Sequence, residues 1–266
     1  MSDTFGGLAG DLRGTVDDRP PLLLVHGLSY DRRQWGPLLD ELATVDPGRR
    51  VLAVDLPGHG RSPRWDSYDL DEVVAAIHKA AAEAGLTAPV VVGHSLGGVL
   101  VTMYAAAYPA RGVVNIDQPL LVGRFADVLR QAEPVLRSPA WGDVWARMLA
   151  NMHVDELPPA GRELVATATD PRQDLLLGYW NEVLVNSPDE LARRRADDLG
   201  VIRANGLPYT FVTGHEPNPA YQEWLRSALP DVTVTVLPGS GHFPHVAHPR
   251  TVAGMLVGQP GPARPA

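Results

Sequence analysis

The segment Pro89-Val-Val-Val-Gly-His-Ser-Leu-Gly-Gly98 decides the fold of this chain. A short β-branched run stands directly before the pattern G-x-S-x-G, and a helix-like stretch lined with small residues follows it as far as Ala107. A strand, a sharp turn and a helix in this order are the setting that raises a nucleophilic serine above a sheet. Such a turn forces strained backbone angles on Ser95, and side chains at 93 and 97 would clash with the adjoining strand and helix, so both are glycine. The alternative is an ordinary glycine-rich turn with an incidental serine.

Outward from this turn, short apolar runs alternate with helix-like stretches. This alternation is typical of βα units and a mostly parallel sheet. We predict strands at 21–25, 50–55, 89–92, 112–116, 209–213 and 232–237, and helices at 31–43, 70–84 and 97–107. The first twenty residues predict an additional hairpin around Gly6-Gly7. The fold class predicted from these elements is α/β.

A long segment without strands interrupts the alternation, from about Pro119 to Asn205. A βα crossover needs far fewer residues, so this segment is predicted to be a helical insertion. Trp141, Trp145 and Trp180 belong to apolar stripes at helical spacing within it. Either these residues hold the insertion together and onto the sheet, or they form the roof of a substrate pocket. Residues 259–266 are rich in Pro and Gly and are predicted to be a flexible tail.

A histidine follows the last predicted strand, in the loop Leu237-Pro-Gly-Ser-Gly-His-Phe-Pro244. Glycines at 239 and 241 allow this loop to fold tightly, so that the imidazole of His242 can turn inward. Histidine suits a general base because its ordinary pKa lies near the operating pH of most enzymes. Among the other histidines, we predict packing or orienting roles for His26 and His94, a structural hydrogen bond for His59, and surface positions for His245 and His248.

These landmarks together resemble the α/β-hydrolase superfamily. The resemblance rests on His26-Gly27, Asp55-Leu-Pro-Gly-His-Gly-Arg-Ser62, Gly93-His-Ser-Leu-Gly97 and Gly241-His242, which extend over most of the chain. It implies a mostly parallel eight-stranded sheet flanked by helices, a helical cap inserted after strand six, and a triad in the order nucleophile, acid, histidine. Residues 1–118 and 206–258 are accordingly assigned to the α/β-hydrolase core and residues 119–205 to the cap. Ser95 is then the nucleophile and His242 the base.

Two backbone N–H groups are expected to bind the oxyanion of the reaction. In this fold one comes from the loop after the first buried strand, and the other from the residue after the nucleophile. We assign them to Leu28 and Leu96, and Leu96 also begins a helix, where negative charge is favoured. Ser29 either lends its hydroxyl to the site or caps the following helix, and we favour the cap.

The acid of the triad has two candidates. The superfamily commonly carries it after strand seven, but that segment reads Gly214-His-Glu-Pro-Asn218 here, with Pro217 where an aspartate is expected. Glu216 lies in that segment, and Asp117 directly follows strand six. Both strand ends open on the same sheet edge, so either carboxylate can reach the imidazole. We favour Asp117, because a triad acid must hold the imidazole in one tautomer and therefore needs a fixed position. The residue directly after a strand has the least positional freedom. The alternative for Asp117 is a strand-end residue that caps a loop.

The composition excludes several other kinds of protein. The 266 residues carry 23 Lys+Arg against 31 Asp+Glu, and the net charge of −8 argues against a nucleic-acid partner. The absence of cysteine excludes disulfides, thiolate nucleophiles and Cys-ligated zinc, and no histidine spacing suggests a metal site, so neither a metal nor a cofactor is expected. No segment approaches the roughly 18 apolar residues of a membrane span, and the first residues lack the apolar centre of a signal peptide. We expect a cytoplasmic monomer or homodimer that acts on a small molecule.

The residues together predict a serine hydrolase that cleaves a carboxylic ester or lactone of a largely apolar substrate through an acyl-enzyme. The loop from Leu237 to Pro249, with an acid after strand six, is also similar to that of zearalenone-type lactonases. Among enzymes, the alternative is cleavage of a carbon–carbon bond or a thioester by the same triad. Outside enzymes, it is a ligand-binding receptor with a slow triad.

Overall fold

Eight strands form one sheet in a computed structural model that describes residues 3–257. They are β1 (Asp3–Phe5), β2 (Leu8–Arg13), β3 (Leu22–Val25), β4 (Val51–Val54), β5 (Val90–His94), β6 (Gly112–Ile116), β7 (Tyr209–Thr213) and β8 (Thr233–Val236). Their order is β1-β2-β4-β3-β5-β6-β7-β8. The hairpin β1–β2 and the pair β2–β4 are antiparallel, and all other neighbours are parallel. The predicted α/β fold, its mostly parallel eight-stranded sheet and its N-terminal hairpin are confirmed.

Helices cover both faces of this sheet. Within residues 3–257 they are α1 (Gly36–Val45), α2 (Leu70–Glu83), α3 (Leu96–Ala107), α4 (Gly123–Leu136), α5 (Trp141–Ala150), α6 (Pro159–Thr167), α7 (Gln173–Tyr179), α8 (Asn181–Val185), α9 (Pro188–Ala204), α10 (Pro219–Ala228), α11 (Pro244–Ala247) and α12 (Pro249–Val257), with 3₁₀ turns at Arg32–Trp35 and Val154–Glu156. None of these helices combines the length and the apolarity that crossing a membrane requires.

The apolar run of β3 shows why the centre of the sheet is parallel. Leu22 and Leu24 pack with α1 and α12 on one face, whereas Leu23 and Val25 pack with α2 and α3 on the other. All four side chains are fully buried. A strand buried on both faces needs apolar residues at every position, and burial of each such side chain contributes roughly 1.5–3 kcal/mol.

The register of the central strands brings their carboxyl ends together. His94 pairs with Ile116, and Ile116 in turn pairs with Val212. The hydrogen bonding between neighbouring strands continues one residue beyond β5 and β6. The Ser95 N–H donates to the Ile116 carbonyl at 2.9 Å, and the Asp117 N–H donates to the Val212 carbonyl at 2.7 Å. Ser95 and Asp117 are therefore held side by side at one edge of the sheet.

The segment between β6 and β7 contains helices α4 to α9 and, within residues 117–208, no strand. Helix α4 packs against α5, α7, α8 and α9, and α9 packs against α3. The helical character predicted for this insertion is therefore observed. The division into a core at 1–118 and 206–258 and a cap at 119–205 stays a prediction, and the predicted tail 259–266 lies outside the described residues.

Candidate active site

Ser95 occupies the turn between β5 and α3 with φ 52° and ψ −125°, a conformation that L residues rarely adopt. The neighbouring glycines make room for it. A Cβ at Gly93 would lie 2.0 Å from the Gly97 carbonyl oxygen, and a Cβ at Gly97 would lie 2.2 Å from the Val25 carbonyl oxygen. Because both clashes involve backbone atoms, larger residues at these positions would displace the turn itself.

The backbone N–H groups of Leu28 and Leu96 have no hydrogen-bond acceptor among residues 3–257. Leu96 is the first residue of α3, where an N–H has no partner within the helix. Both residues line the same cavity as Ser95. These two donors are thus available to a ligand oxygen next to the serine.

Ser29 does not cap the following helix, contrary to the sequence prediction. It is fully buried with φ 66°, and its N–H donates to the Nε2 of His59 at 3.0 Å. The cap is Asp31, whose carboxylate accepts the Arg33 N–H at 2.8 Å. The N–H of Arg32, the first residue of the helical turn, donates to Asp55 Oδ1 at 2.9 Å, so the first N–H groups of the turn are bound without Ser29. The structural hydrogen bond predicted for His59 is confirmed.

The imidazole of His242 is paired with Asp117. Its Nδ1 lies 2.6 Å from Asp117 Oδ2. The other carboxylate oxygen, Oδ1, accepts the Thr213 hydroxyl at 2.6 Å and the Gly214 N–H at 3.2 Å. Burial alone would raise the pKa of Asp117, but the hydrogen bonds from His242, Thr213 and Gly214 and the attraction of His242 outweigh it, so the pKa lies below its usual value. The carboxylate is therefore ionised and fixed in orientation.

Glu216, the other candidate acid, is exposed on the loop after β7. It lines the cavity, but it forms no hydrogen bond or ion pair with His242 among the described residues. The structure thus brings Asp117, and not Glu216, to the imidazole.

The residue before the serine links the turn to the histidine loop. His94 is fully buried, and its Nε2 lies 2.7 Å from the main-chain carbonyl oxygen of His242, to which it donates. In the part of the chain that the structure describes, no hydrogen bond joins the Ser95 hydroxyl to His242. Catalytic hydrogen bonds are often long or poorly aligned before substrate binds. Ser95 and His242 nevertheless face the same cavity.

His245 is buried, so the surface position predicted for it is wrong. Its ring packs between Trp35 and His94, with centroid distances of 4.6 and 4.5 Å, and has no exposed surface. The short helix α11 starts at Pro244 and turns this side chain inward, which histidine spacing in the sequence does not reveal. His248, by contrast, is only partly buried, and its Nε2 lies 2.9 Å from the Pro238 carbonyl oxygen.

Ser95, Asp117 and His242 line a cavity of about 1250 Å³ whose far wall belongs to the insertion. Two of the three tryptophans considered from the sequence, Trp145 and Trp180, line it as well. Trp141 does not, and lies half-buried against the main core. Apolar lining residues to which the sequence did not point include Leu121, Phe125, Leu129, Val144 and Tyr179. Phe125 and Leu129 lie four residues apart within α4, and this helical spacing is the signal that points to this wall.

Comparison with known proteins decides the family. The sequence model of the alpha/beta hydrolase family matches residues 22–255, which is most of the chain. This chain belongs to the alpha/beta hydrolases. Residues 3–257 of the hydrolase contain no group of three or more His, Asp or Glu side chains placed to hold a metal ion.

The hydrolase is similar to several proteins of known activity. It is 40% identical over 100 residues to the biotin biosynthesis bifunctional protein BioHC of Cellvibrio japonicus, which covers 37% of this chain and 18% of that protein. It is 36% identical over 140 residues to the (lyso)-N-acylphosphatidylethanolamine lipase of Bos taurus, and this match covers 50% of this chain and 39% of the lipase. It shares 25% identity over 256 residues with the pimeloyl-(acyl-carrier protein) methyl ester esterase of Yersinia pseudotuberculosis, and this match covers 89% of this chain and 91% of the esterase. The matches span less than half of the first two relatives and most of the third.

Solved structures share the fold of the hydrolase. A protein that recognises the Pseudomonas quinolone signal and cleaves its ring superposes with a TM-score of 0.78 at 18% identity, which covers 97% of this chain and 99% of that one. A thermophilic esterase from Thermogutta terrifontis superposes with a TM-score of 0.70 at 24% identity, which covers 94% and 91%. At these identities the likeness is one of fold.

The hydrolase is expected to lose stability in acid through its buried histidines. Burial lowers the pKa of His245 to about 3, whereas an unfolded histidine titrates near 6.5. Between these values the unfolded chain binds the extra proton, so stability falls as the pH drops, by about 2 kcal/mol for His245 between pH 8 and pH 5. Urea unfolding at both pH values measures the difference, which should shrink in His245→Phe. His248→Phe is the control, because it leaves His245 in place. An equal loss of stability between pH 8 and pH 5 in His245→Phe and the wild type would contradict the expectation.

Proposed function

We propose that the hydrolase cleaves carboxylic esters or lactones of large, mainly apolar substrates through an acyl-enzyme on Ser95. The observation that supports this most is the 2.6 Å contact between His242 Nδ1 and Asp117, at a cavity that Ser95 also lines. With Nδ1 engaged, Nε2 is the ring nitrogen left to accept a proton. In this proposal His242 is the base, Asp117 orients it, and the backbone N–H groups of Leu28 and Leu96 bind the oxyanion.

The proposed reaction has two steps. In the first, His242 Nε2 takes the hydroxyl proton of Ser95 as the oxygen bonds to the substrate carbonyl carbon. Collapse of the tetrahedral intermediate breaks the bond to the leaving alkoxide, which takes the proton from Nε2. In the second step, a water molecule gives a proton to Nε2 and attacks the acyl carbon. The carboxylic acid leaves, and the proton returns to Ser95.

Two features favour a large apolar acyl group. The cavity of about 1250 Å³ exceeds what a short acyl chain fills, and Trp145 and Trp180 are among its apolar walls. The methyl ester esterase and the lipase to which the chain is similar are both named for ester substrates. Ester cleavage is therefore proposed ahead of thioester or carbon–carbon cleavage.

A series of 4-nitrophenyl esters of increasing acyl length tests this proposal. We expect kcat/KM to rise from acetyl to medium chains, because each buried CH₂ group contributes about 0.8 kcal/mol, or roughly fourfold. Trp180→Leu should reduce this rise, since the ring lines the cavity next to Phe125 at a centroid distance of 5.9 Å. Trp141→Leu is the matched control, because Trp141 does not line the cavity.

Lactones, acyl thioesters and vinylogous diketones belong in the same panel. A rate that does not change with acyl length, or turnover restricted to the thioester or the diketone, would contradict the proposed substrate class. Tight binding of substrate with no turnover after one acylation would favour a receptor over an enzyme.

A further inference from the structure

The backbone of the histidine loop is held by the insertion as well as by the sheet. The N–H of His242 donates to the main-chain carbonyl of Met152 at 2.9 Å. The preceding N–H, that of Gly241, donates to the carboxylate oxygen Oε2 of Glu156 at 3.1 Å. Two consecutive peptide groups next to the imidazole therefore depend on residues of the insertion, about ninety residues earlier in the sequence.

The two segments approach too closely for any side chain between them. Gly241 has φ +49°, and a Cβ there would lie 2.6 Å from the carbonyl oxygens of both Met152 and His153. His153 itself has a left-handed φ of 52°, although it is not a glycine. Such backbone is retained where surrounding contacts determine it, and here it turns the chain after α5 towards the histidine loop.

Glu156 connects three parts of the molecule. Its Oε1 lies 3.5 Å from His153 Nδ1 and 3.6 Å from His215 Nε2, and the two imidazole rings are 5.2 Å apart. His215 follows β7 directly after Gly214, which binds Asp117. The side chain of Glu156 is 30% exposed, so it can be changed without opening the core.

We propose that Glu156 is a positioning residue that holds His242 in line with Asp117 and Ser95 by accepting the Gly241 N–H. Its effect on turnover rests on the proposed function. Without this acceptor, the left-handed Gly241 loses one restraint on its backbone, and the imidazole can shift relative to the carboxylate although His242 N–H still binds Met152. A displacement of about 1 Å at a reacting group can cost about 10²-fold in rate.

Three substitutions of Glu156 separate its role as a hydrogen-bond acceptor from the effects of its negative charge and of its side-chain length. Glu156→Gln keeps an oxygen of the same reach and should retain most of kcat. Glu156→Asp keeps the charge but shortens the side chain, and Glu156→Ala removes the acceptor. Both should lower kcat by roughly 10- to 100-fold with a smaller change in KM, because Glu156 itself does not line the cavity. Asp155→Ala, at an exposed neighbouring carboxylate, is the matched control and should behave as wild type.

A second readout does not depend on the reaction. The proton between His242 Nδ1 and Asp117 should give a low-field proton NMR signal in wild type and Glu156→Gln, and a weakened or broadened one in Glu156→Ala and Glu156→Asp. Unchanged kcat and NMR signal in Glu156→Ala would overturn the proposal, as would a Glu156→Asp variant more active than Glu156→Gln. If Ser95 proves dispensable while the NMR signal still depends on the Glu156 acceptor, the proposed function fails and the positioning role stands.

Discussion

Replacement of Ser95 by alanine is expected to lower kcat for ester substrates by roughly 10⁶-fold, the order seen when a serine nucleophile is removed from a triad. The proposed reaction has no other group at the turn to form the acyl-enzyme. The residue keeps its backbone conformation in this variant, because alanine and serine meet the same strain at φ 52°. The remaining rate would come from substrate binding and the N–H groups of Leu28 and Leu96.

Labelling with a fluorophosphonate, followed by mass spectrometry of the intact protein, checks the same point without a substrate. Wild type should gain one label and Ser95→Ala none. Ser29→Ala is the control, because Ser29 is a buried serine next to Leu28 that the proposal leaves unlabelled. A label that persists in Ser95→Ala would refute the nucleophile assignment.

Replacement of Asp117 by asparagine is expected to lower kcat by about 10⁴-fold, with the fold intact. The carboxylate accepts the Nδ1 proton of His242, whereas an amide nitrogen in its place would donate and force the imidazole into the wrong tautomer. Nε2 would then carry a proton and be unable to take one from Ser95. Steady-state kinetics at a pH where the wild type is fully active measures the loss.

Glu216→Gln is the comparison that separates the two candidate acids. Glu216 has no hydrogen bond with His242 among residues 3–257, so its kcat should change by far less than that of Asp117→Asn. A loss in Glu216→Gln as large as that in Asp117→Asn would mean that the loop after β7 supplies the acid when substrate is bound.

The turn at Ser95 was predictable from the sequence because its causes are local. Gly93 and Gly97 are required by backbone contacts within a few residues of the serine and with the neighbouring strand β3. The apolar runs of β3 and β4 were equally informative, since burial on both faces favours an apolar residue at every position of these strands. The sequence also located both candidate acids at the right sheet edge.

The choice between those acids needed the structure. Asp117 and Glu216 follow adjacent strands, and only the register shows that Thr213 and Gly214 bind one oxygen of Asp117 and leave the other for His242. These contacts join residues 96 to 125 positions apart, and no short pattern encodes them. The buried position of His245 and the placement of Trp141 outside the cavity depend in the same way on how whole helices pack.

The hydrogen bonds from Gly241 and His242 to the insertion have a consequence for protein engineering. A designer who exchanged the segment between β6 and β7 for that of another family member, in order to alter selectivity, would also remove the Met152 and Glu156 acceptors. A chimera of this kind would need matching changes in the histidine loop, so the two segments are best transplanted together.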